Sequence, residues 1–327
     1  MTTTMVNIEV ITKAVELACR APSIHNSQPW RWVASSTVVD LFADPNRIVR
    51  SHDSSGREAI MSCGAALDHF RVAMAAAGWN TNIEQFPNPN KLDHLASIDF
   101  TPLDYVTEAW REGADAILRR RTDRLPFRAP KDWESFEPVL CSSFHSDLVA
   151  LDVLADDVHP RLAQASRLTD TLRRYDDSYH HELQWWTTPF RQSEGVPHSA
   201  LISRSERQRV QVGRSFPVRG YSDRRAATSQ DEAKILVLST PDDSRQDALN
   251  CGQVLSTVLL DCTMAGLATC TLTHITELEA SRDIIRELTG RAAFPQALIR
   301  VGIAPTNEET PAPTPRRNLS EVLEIRR

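Results

Sequence analysis

Two stretches of this 327-residue chain echo one another at fixed spacing, and few folds accommodate that. Cys63-Gly64-Ala65-Ala66-Leu67 is followed after nine residues by Ala77-Gly78. Cys251-Gly252-Gln253-Val254-Leu255 is followed after nine residues by Ala265-Gly266. Cys-Gly, Leu and Ala-Gly therefore share offsets across 16 positions. The flanks match too. Strand candidates Val38–Phe42 and Ile235–Leu238 precede, with the turns Asp44-Pro45-Asn46 and Pro241-Asp242; Leu95–Phe100 and Ala297–Gly302 follow. Each repeat core lies in a helix candidate, the first from Gly56 to Ala77. Both are apolar nearly all round (Ala73, Met74, Ala75; Val258, Leu259, Leu260), so each should be buried on several sides. Ala and Gly permit close helix approach, and the Gly at each end suits a helix stop. Two buried αβ units can be alike by chance. The matched spacing and flanks favour a duplication, with halves at 1–115 and 116–327.

Composition narrows the function. Hydrophobic residues are 41% and charged residues 24%, which is globular, and the net charge of −6 disfavours a general nucleic-acid binder. No apolar run approaches the roughly 20 residues of a membrane span. Met1-Thr2-Thr3-Thr4-Met5-Val6 has neither a basic nor an apolar leader region, so the expected location is the cytoplasm. None of the six cysteines forms a C-x-x-C pair, which predicts reduced core thiols and no metal site. His180 and His181 are adjacent and point about 100° apart on a helix. There is no G-x-G-x-x-G and no P-loop, and glycines number only 11, so a phosphate would be gripped by side chains.

Between the repeats, Glu108 to Arg121 reads as a helix and Leu148 to Leu154 as a strand. Arg161 to Trp186 reads as mostly helical, with Leu162, Ala165, Leu168, Leu172 and Tyr175 on one face. Residues 187–233 are different: polar, Arg-rich, interrupted by Pro189, Pro197 and Pro217, with Val210, Val212 and Phe216 as anchors. A connection of that length is either disordered or a functional lid, which Tyr179, Trp185 and Trp186 would floor.

Four segments carry candidate chemistry. Ala21-Pro22-Ser23-Ile24-His25-Asn26-Ser27-Gln28-Pro29-Trp30 follows a short amphipathic helix and leads into a strand through Trp32. It reads as an ordinary connector with a hydrogen-bonding Asn, or as a polar turn that holds a flat ligand. Arg119 to Arg124 contains Arg120, Arg121, Thr122 and Arg124, either a solvated helix end or a phosphate grip through guanidinium forks and a hydroxyl. Gly266 to His274 is a helix–strand connection containing Thr273 and His274. Pro311 to Val322 alternates prolines and then presents Arg316 and Arg317, a basic tail on its own terms.

Together these segments resemble the FMN-dependent nitroreductase superfamily. Ala21 to Trp30 is similar to its A-P-S-x-x-N-x-Q-P-W segment, and Arg120-Arg121-Thr122-Asp123-Arg124 to its R-R-S/T-x-R motif. Gly266 to Cys270 resembles its G-L-G-S-C-W loop, with Thr271 where Trp is usual. Arg316-Arg317 resembles the closing P-x-R-R. The signatures Tyr179-His180-His181-Glu182-Leu183-Gln184-Trp185-Trp186 and Glu194-Gly195-Val196-Pro197-His198-Ser199 resemble the Acg-type group over nearly the whole chain. The resemblance implies a three-layer α/β/α (α+β) fold in which two degenerate repeats form an intramolecular pseudo-dimer with one complete flavin site. It implies that Pro22, Ser23, His25 and Asn26 line the flavin. Arg120, Thr122, Arg316 and Arg317 would serve its phosphate, Arg124 its N1–C2=O edge, and a backbone amide at Thr273 or His274 its N5, with Arg121 a further cofactor-binding residue. NAD(P)H would supply hydride and a nitroaromatic or quinone would accept electrons, in a monomer that binds neither nucleic acid nor membrane. An FMN-sequestering or flavin-sensing protein, silent beneath its lid, is the alternative; a partner-binding module that uses the Arg-rich loop is a third.

Overall fold

The computed structural model describes residues 5–144, 147–188, 193–217, 223–225, 230–304 and 312–326. Pro189 of the expected lid and Pro311 of the C-terminal segment lie outside them. The first half runs α1 (Ile8–Ala18), β1 (Trp30–Ala34), β2 (Val39–Ala43), α2 (Arg57–Ala76), β3 (Trp79–Gln85) and β4 (His94–Pro102). Next come α3 (Glu108–Arg119), α4 (Trp133–Ser142), β5 (Ala150–Leu154), α5 (His159–Leu172), α6 (Asp177–Trp186) and α7 (Arg204–Arg209). The second half ends β6 (Lys234–Thr240), α8 (Arg245–Met264), β7 (Ala268–Leu272), α9 (Glu279–Thr289), β8 (Phe294–Gly302), α10 (Leu319–Val322) and β9 (Leu323–Ile325).

The strands form two sheets, β3-β4-β2-β1-β9 and β7-β8-β6-β5 when read from the matching edge. β3 corresponds to β7, β4 to β8, β2 to β6 and β1 to β5, each pair of neighbours antiparallel. The duplication is thus visible in topology. β9 breaks the symmetry: the C-terminal tail crosses to the first sheet and pairs parallel with β1, Trp32 opposite Leu323. Trp30 and Trp32 are wholly buried, which fixes this edge of the core.

α2 and α8 are the axis. Apolar side chains of α2 pack under the first sheet together with Ala248 and Leu249 of α8; the core under the second sheet is built on α8 and takes Met61 from α2. The matched glycines meet where the helices cross. A Cβ on Gly64 would stand 2.2 Å from the Leu249 carbonyl oxygen, and one on Gly252 2.0 Å from that of Met61. No side chain fits at either place, which is why Cys-Gly recurs in both halves.

Some expectations need correction. The face assigned to 161–186 is broken: α5 stops at Leu172, α6 starts at Asp177, and Leu172 and Tyr175 are exposed, Tyr175 at 88%. Leu162 and Ala165 are buried as expected. Trp185 is exposed, whereas Tyr179 and Trp186 are buried. The described part of 187–233 is ordered around α7, with Val210 and Val212 buried. Gly266 to His274 is mostly strand (β7) rather than connection. All six cysteines are free thiols, five of them buried, and no helix among the described residues is long and apolar enough to cross a membrane.

Candidate functional site

A cavity of about 320 Å³ lies where the two halves meet. Pro22, Ser23 and His25 form one wall, and Thr122, Arg124 and β7 through His274 the other. Glu58, Met61 and Ser62 of α2, with Leu255 of α8, form the floor. Residues 207–216 roof it, Arg207, Arg214 and Phe216 among them. Its volume falls within the usual range for small-molecule sites.

The first wall is a backbone under strain. His25, Asn26 and Gln28 have φ of 47°, 57° and 51°, left-handed values that cost energy away from glycine. Hydrogen bonds hold the turn. The Gln28 amide donates to Ser23 Oγ at 3.1 Å, and Arg47 Nε donates to the Ser27 carbonyl at 2.5 Å. Asn26 Nδ2 donates to the carbonyls of Gly195 and Pro315, both at 3.1 Å, and Gln28 Nε2 to that of Ser193 at 2.8 Å. The Arg317 amide donates to Gln28 Oε1 at 2.9 Å, and Arg47 pairs with Glu194. Asn26 therefore fastens the covering segment and the C-terminal tail to the turn and does not line the cavity. The Glu194 signature is read in the same way: it is the partner surface of that turn.

Beyond Pro22 the chain carries a cluster of cations. Arg20, Arg120, Arg121 and Arg316 come together at the end of α1. Burial, then Arg121 and Arg20, hold the Arg120 guanidinium down to about 10. Burial, then Arg20 and Arg120, hold that of Arg316 down to about 9. No carboxylate among the described residues pairs with any of the four. Arg316 spends its donors on backbone: Nε on Cys19 O at 2.8 Å, Nη2 on Arg20 O and Ala21 O, Nη1 on Thr314 O and Pro315 O. Arg120 and Arg121 each keep a buried Nε without a partner. Mutually repelling cations without a carboxylate counter-charge, with Arg20 and Arg120 two residues from the wall residues Pro22 and Thr122, form a site for an anion. Arg121 otherwise bonds the Leu118 and Arg120 carbonyls, and Arg317 lies 3.9 Å from Glu321; neither of them, nor Arg20, Arg120 or Arg316, is among the residues that line the cavity. Arg20, adjacent to Ala21, is a member that the motif match alone does not reveal.

Thr122 bridges to Thr269, and the Asp123 amide bonds the Thr269 carbonyl at 2.9 Å, which docks the basic loop beside β7. Arg124 is half-buried and lies 5.2 Å from the Phe216 ring centroid; desolvation lowers its pKa. His274 accepts or donates at Nε2 with Ser166 Oγ (2.8 Å), and its Nδ1 has no partner. Burial, with Arg214 nearby, holds His274 and His25 well below the ordinary histidine value, so both rings are neutral. Thr273 Oγ1 is within 3.4 Å of Arg214.

Three further groups have no local sequence signal. Arg214, from the roof, pairs with buried Glu277 and donates to Tyr179 Oη at 3.0 Å. Burial opposes its charge, but Glu277 and Tyr179 raise its pKa net. Tyr179 stacks on His52 (4.1 Å), whose Nδ1 is 3.1 Å from Glu182 Oε2, so the Tyr179–Glu182 signature props His52 against His25. Glu58 is 2% exposed with Oε2 unpartnered, and burial, then Glu277, push its carboxyl up to about 8. From sequence it is only an acidic residue at a helix start, where the dipole already explains it.

No protein-family model matches the chain. Curated relatives do. Acg of Mycobacterium tuberculosis, provisionally named an NAD(P)H nitroreductase, is 60% identical over 326 residues, covering 100% of this chain and 98% of its own. The uncharacterized protein Rv3127 of the same organism is 58% identical over 321 residues, 97% of this chain and 93% of its own. Rv3131, also provisionally an NAD(P)H nitroreductase, is 38% identical over 328 residues, 99% of this chain and 94% of its own. Among solved structures, the FMN-dependent nitroreductase NfnB from Mycobacterium smegmatis, in complex with NADPH, aligns over 67% of this chain and 100% of its own at 17% identity. Its TM-score is 0.39, a similarity too slight to argue from. Full-length identity of this order to Acg means that the chain belongs to the Acg-type group of the nitroreductase superfamily.

Proposed function

We propose that this chain is an FMN-binding, NAD(P)H-dependent oxidoreductase of the nitroreductase type, with one complete flavin site per chain. The observation that carries the reading is a cation cluster with no carboxylate partner among the described residues, whose Arg20 and Arg120 lie two residues from the wall residues Pro22 and Thr122 of a cavity of small-molecule size. Arg20 and Arg120, with Thr122, would hold the phosphate, and Arg316 would add charge without a free donor. Pro22, Ser23 and His25 would lie against one side of the ring, and Thr273 and His274 against its edge. FMN, when bound, would supply the redox chemistry: hydride uptake from NAD(P)H and delivery of two electrons to an acceptor such as a nitroaromatic or a quinone. Arg124, half-buried on the wall, would offset negative charge gained on reduction. No acid–base side chain is needed for hydride transfer itself.

The same reading makes the halves 1–115 and 116–327 the two members of an internal pseudo-dimer, with 187–233 inserted as a cover. α2 and α8 already supply the contact that separate subunits would make, so the chain is a monomer, and reduced thiols with a nicotinamide reductant suit the cytoplasm. The test is titration of cofactor-free protein with FMN. Saturable binding that quenches flavin fluorescence, weakened at least ~10-fold in Arg120→Ala, is expected for loss of a charge-assisted contact. Absence of any FMN binding by the wild-type protein would sink the reading.

A further inference from the structure

NAD(P)H-driven reduction of a quinone consumes one proton beyond the hydride. The cavity where it would occur is roofed by 207–216, with His25, Cys270, Leu272 and His274 buried in its walls, so the source of that proton is a question about the lining. Glu58 is the carboxyl in the floor. Its Oε1 is 3.4 Å from Arg57 Nη2, and its Oε2 is buried without a hydrogen-bond partner. Arg57 is otherwise engaged, with Nη1 on Gln296 Oε1 at 2.7 Å and Nη2 on the Thr276 carbonyl at 3.1 Å. Arg214 is held by Glu277 and Tyr179. Asp53, in the preceding turn, accepts from the Ala59 amide at 2.8 Å and adds a second negative group. The groups facing Glu58 are therefore Arg57 on its own helix, Asp53 before it, Glu277 ahead of α9 and Arg214 from the roof. Both nearby guanidiniums are committed elsewhere and two carboxylates crowd it. A buried carboxyl whose single ion pair among the described residues is a shared 3.4 Å contact, and whose other oxygen has no partner, keeps its proton in that setting.

We propose that the Glu58 carboxyl is the internal proton donor of the site: its O–H bond breaks as an O–H bond forms on an acceptor oxygen. The electron pair arrives as hydride originating in NAD(P)H, and the Glu58 carboxylate then regains a proton from solvent. This rests on the reductase reading above, deepens it, and points to acceptors whose reduction creates an O–H bond, with quinones the simplest class.

The experiment separates the two. Cofactor-free wild type and Glu58→Gln are first titrated with base; the wild type should release one more proton than the variant between about pH 7 and about pH 9, whatever the flavin does. Equal proton counts overturn the proposal and leave the reductase reading standing. Failure of FMN to bind sinks the reductase reading, and with it the donor role. With FMN bound and pre-reduced, reoxidation by menadione is followed in a stopped-flow instrument. Loss of the donor should slow it roughly 100-fold in Glu58→Gln, a size typical of general acid catalysis. In the wild type the rate should fall about tenfold per pH unit above ~8 and show a solvent isotope effect. A variant reoxidised as fast as the wild type overturns the proposal. So does a wild-type rate that is flat with pH, a result that does not depend on the variant folding.

Discussion

Replacing Gly64 by alanine tests the axis on which both halves are built. The new Cβ would lie 2.2 Å from the Leu249 carbonyl oxygen, 3.0 Å from Gly252 Cα and 3.1 Å from the Leu249 carbonyl carbon. All three are backbone atoms, so no rotamer change relieves the overlap. Restoring an ordinary separation requires the helices to part by about 1 Å, and a radial gap of 0.5–1 Å already forfeits a quarter to a half of each dispersion contact. Overpacking of this kind costs about 1–3 kcal/mol, sometimes more. Against it stands helix propensity, which favours alanine by about 1 kcal/mol. The overlap should win by about 2 kcal/mol, since 17 residues of α2 are buried and move with it. Thermal unfolding followed by far-UV circular dichroism should show a fall of at least about 3 °C. Gly252→Ala, at 2.0 Å from the Met61 oxygen, should behave alike. A Tm equal to or above that of the wild type would mean that propensity prevails and that the crossing is looser than described.

Further outcomes follow from the site. Inorganic phosphate should raise the Tm of the cofactor-free protein above that in chloride of equal ionic strength, by about 2.7 kcal/mol of stability at 100 times its Kd; Arg120→Ala should abolish the difference. Glu58 has a folded-state pKa raised to about 8 from 4.5, so its stabilising share is full below the lower value and lost as pH rises through the upper one. Urea unfolding across that window should show wild-type stability falling relative to Glu58→Gln, by at most about 1.4 kcal/mol per pH unit; parallel curves would refute the assignment. Arg214→Met strands buried Glu277, leaving Arg173 at 3.8 Å, and should cost about 3 kcal/mol while exposing 193–217 to protease. Unchanged proteolysis would show that Arg214 does not hold the roof.

Much of the frame was legible because periodicity and punctuation agree. The α1 stripe, Trp30 to Ala34, and the matched Cys-Gly helices each carry a strong local pattern, and the helix ends fall at Gly78 and Gly266, both with positive φ. β3 was not legible: Trp79-Asn80-Thr81-Asn82-Ile83-Glu84-Gln85 is an edge strand half open to solvent, with three amide side chains. α4 carries Pro138 inside it, a signal against a helix. Tyr175 fits a 3.6 period on paper, but the chain leaves the helix three residues before it. At the site, the motif positions led to Pro22, Ser23, His25, Thr122, Arg124, Thr273 and His274, which the fold brings to one cavity. The motif could not show that Asn26 is spent on Gly195 and Pro315, because the covering segment is 169 residues away in sequence. Glu58 and Arg214 were invisible for the same reason: their chemistry comes from burial and from each other's neighbours, not from any local spacing.

The most direct measurement is an anaerobic absorption spectrum of the FMN-loaded protein before and after NADPH, followed by menadione. Bleaching of the flavin bands by NADPH and their return with menadione is the predicted result. Bands that persist with NADPH yet bleach with dithionite would contradict a working reductase and leave a flavin held beneath its cover.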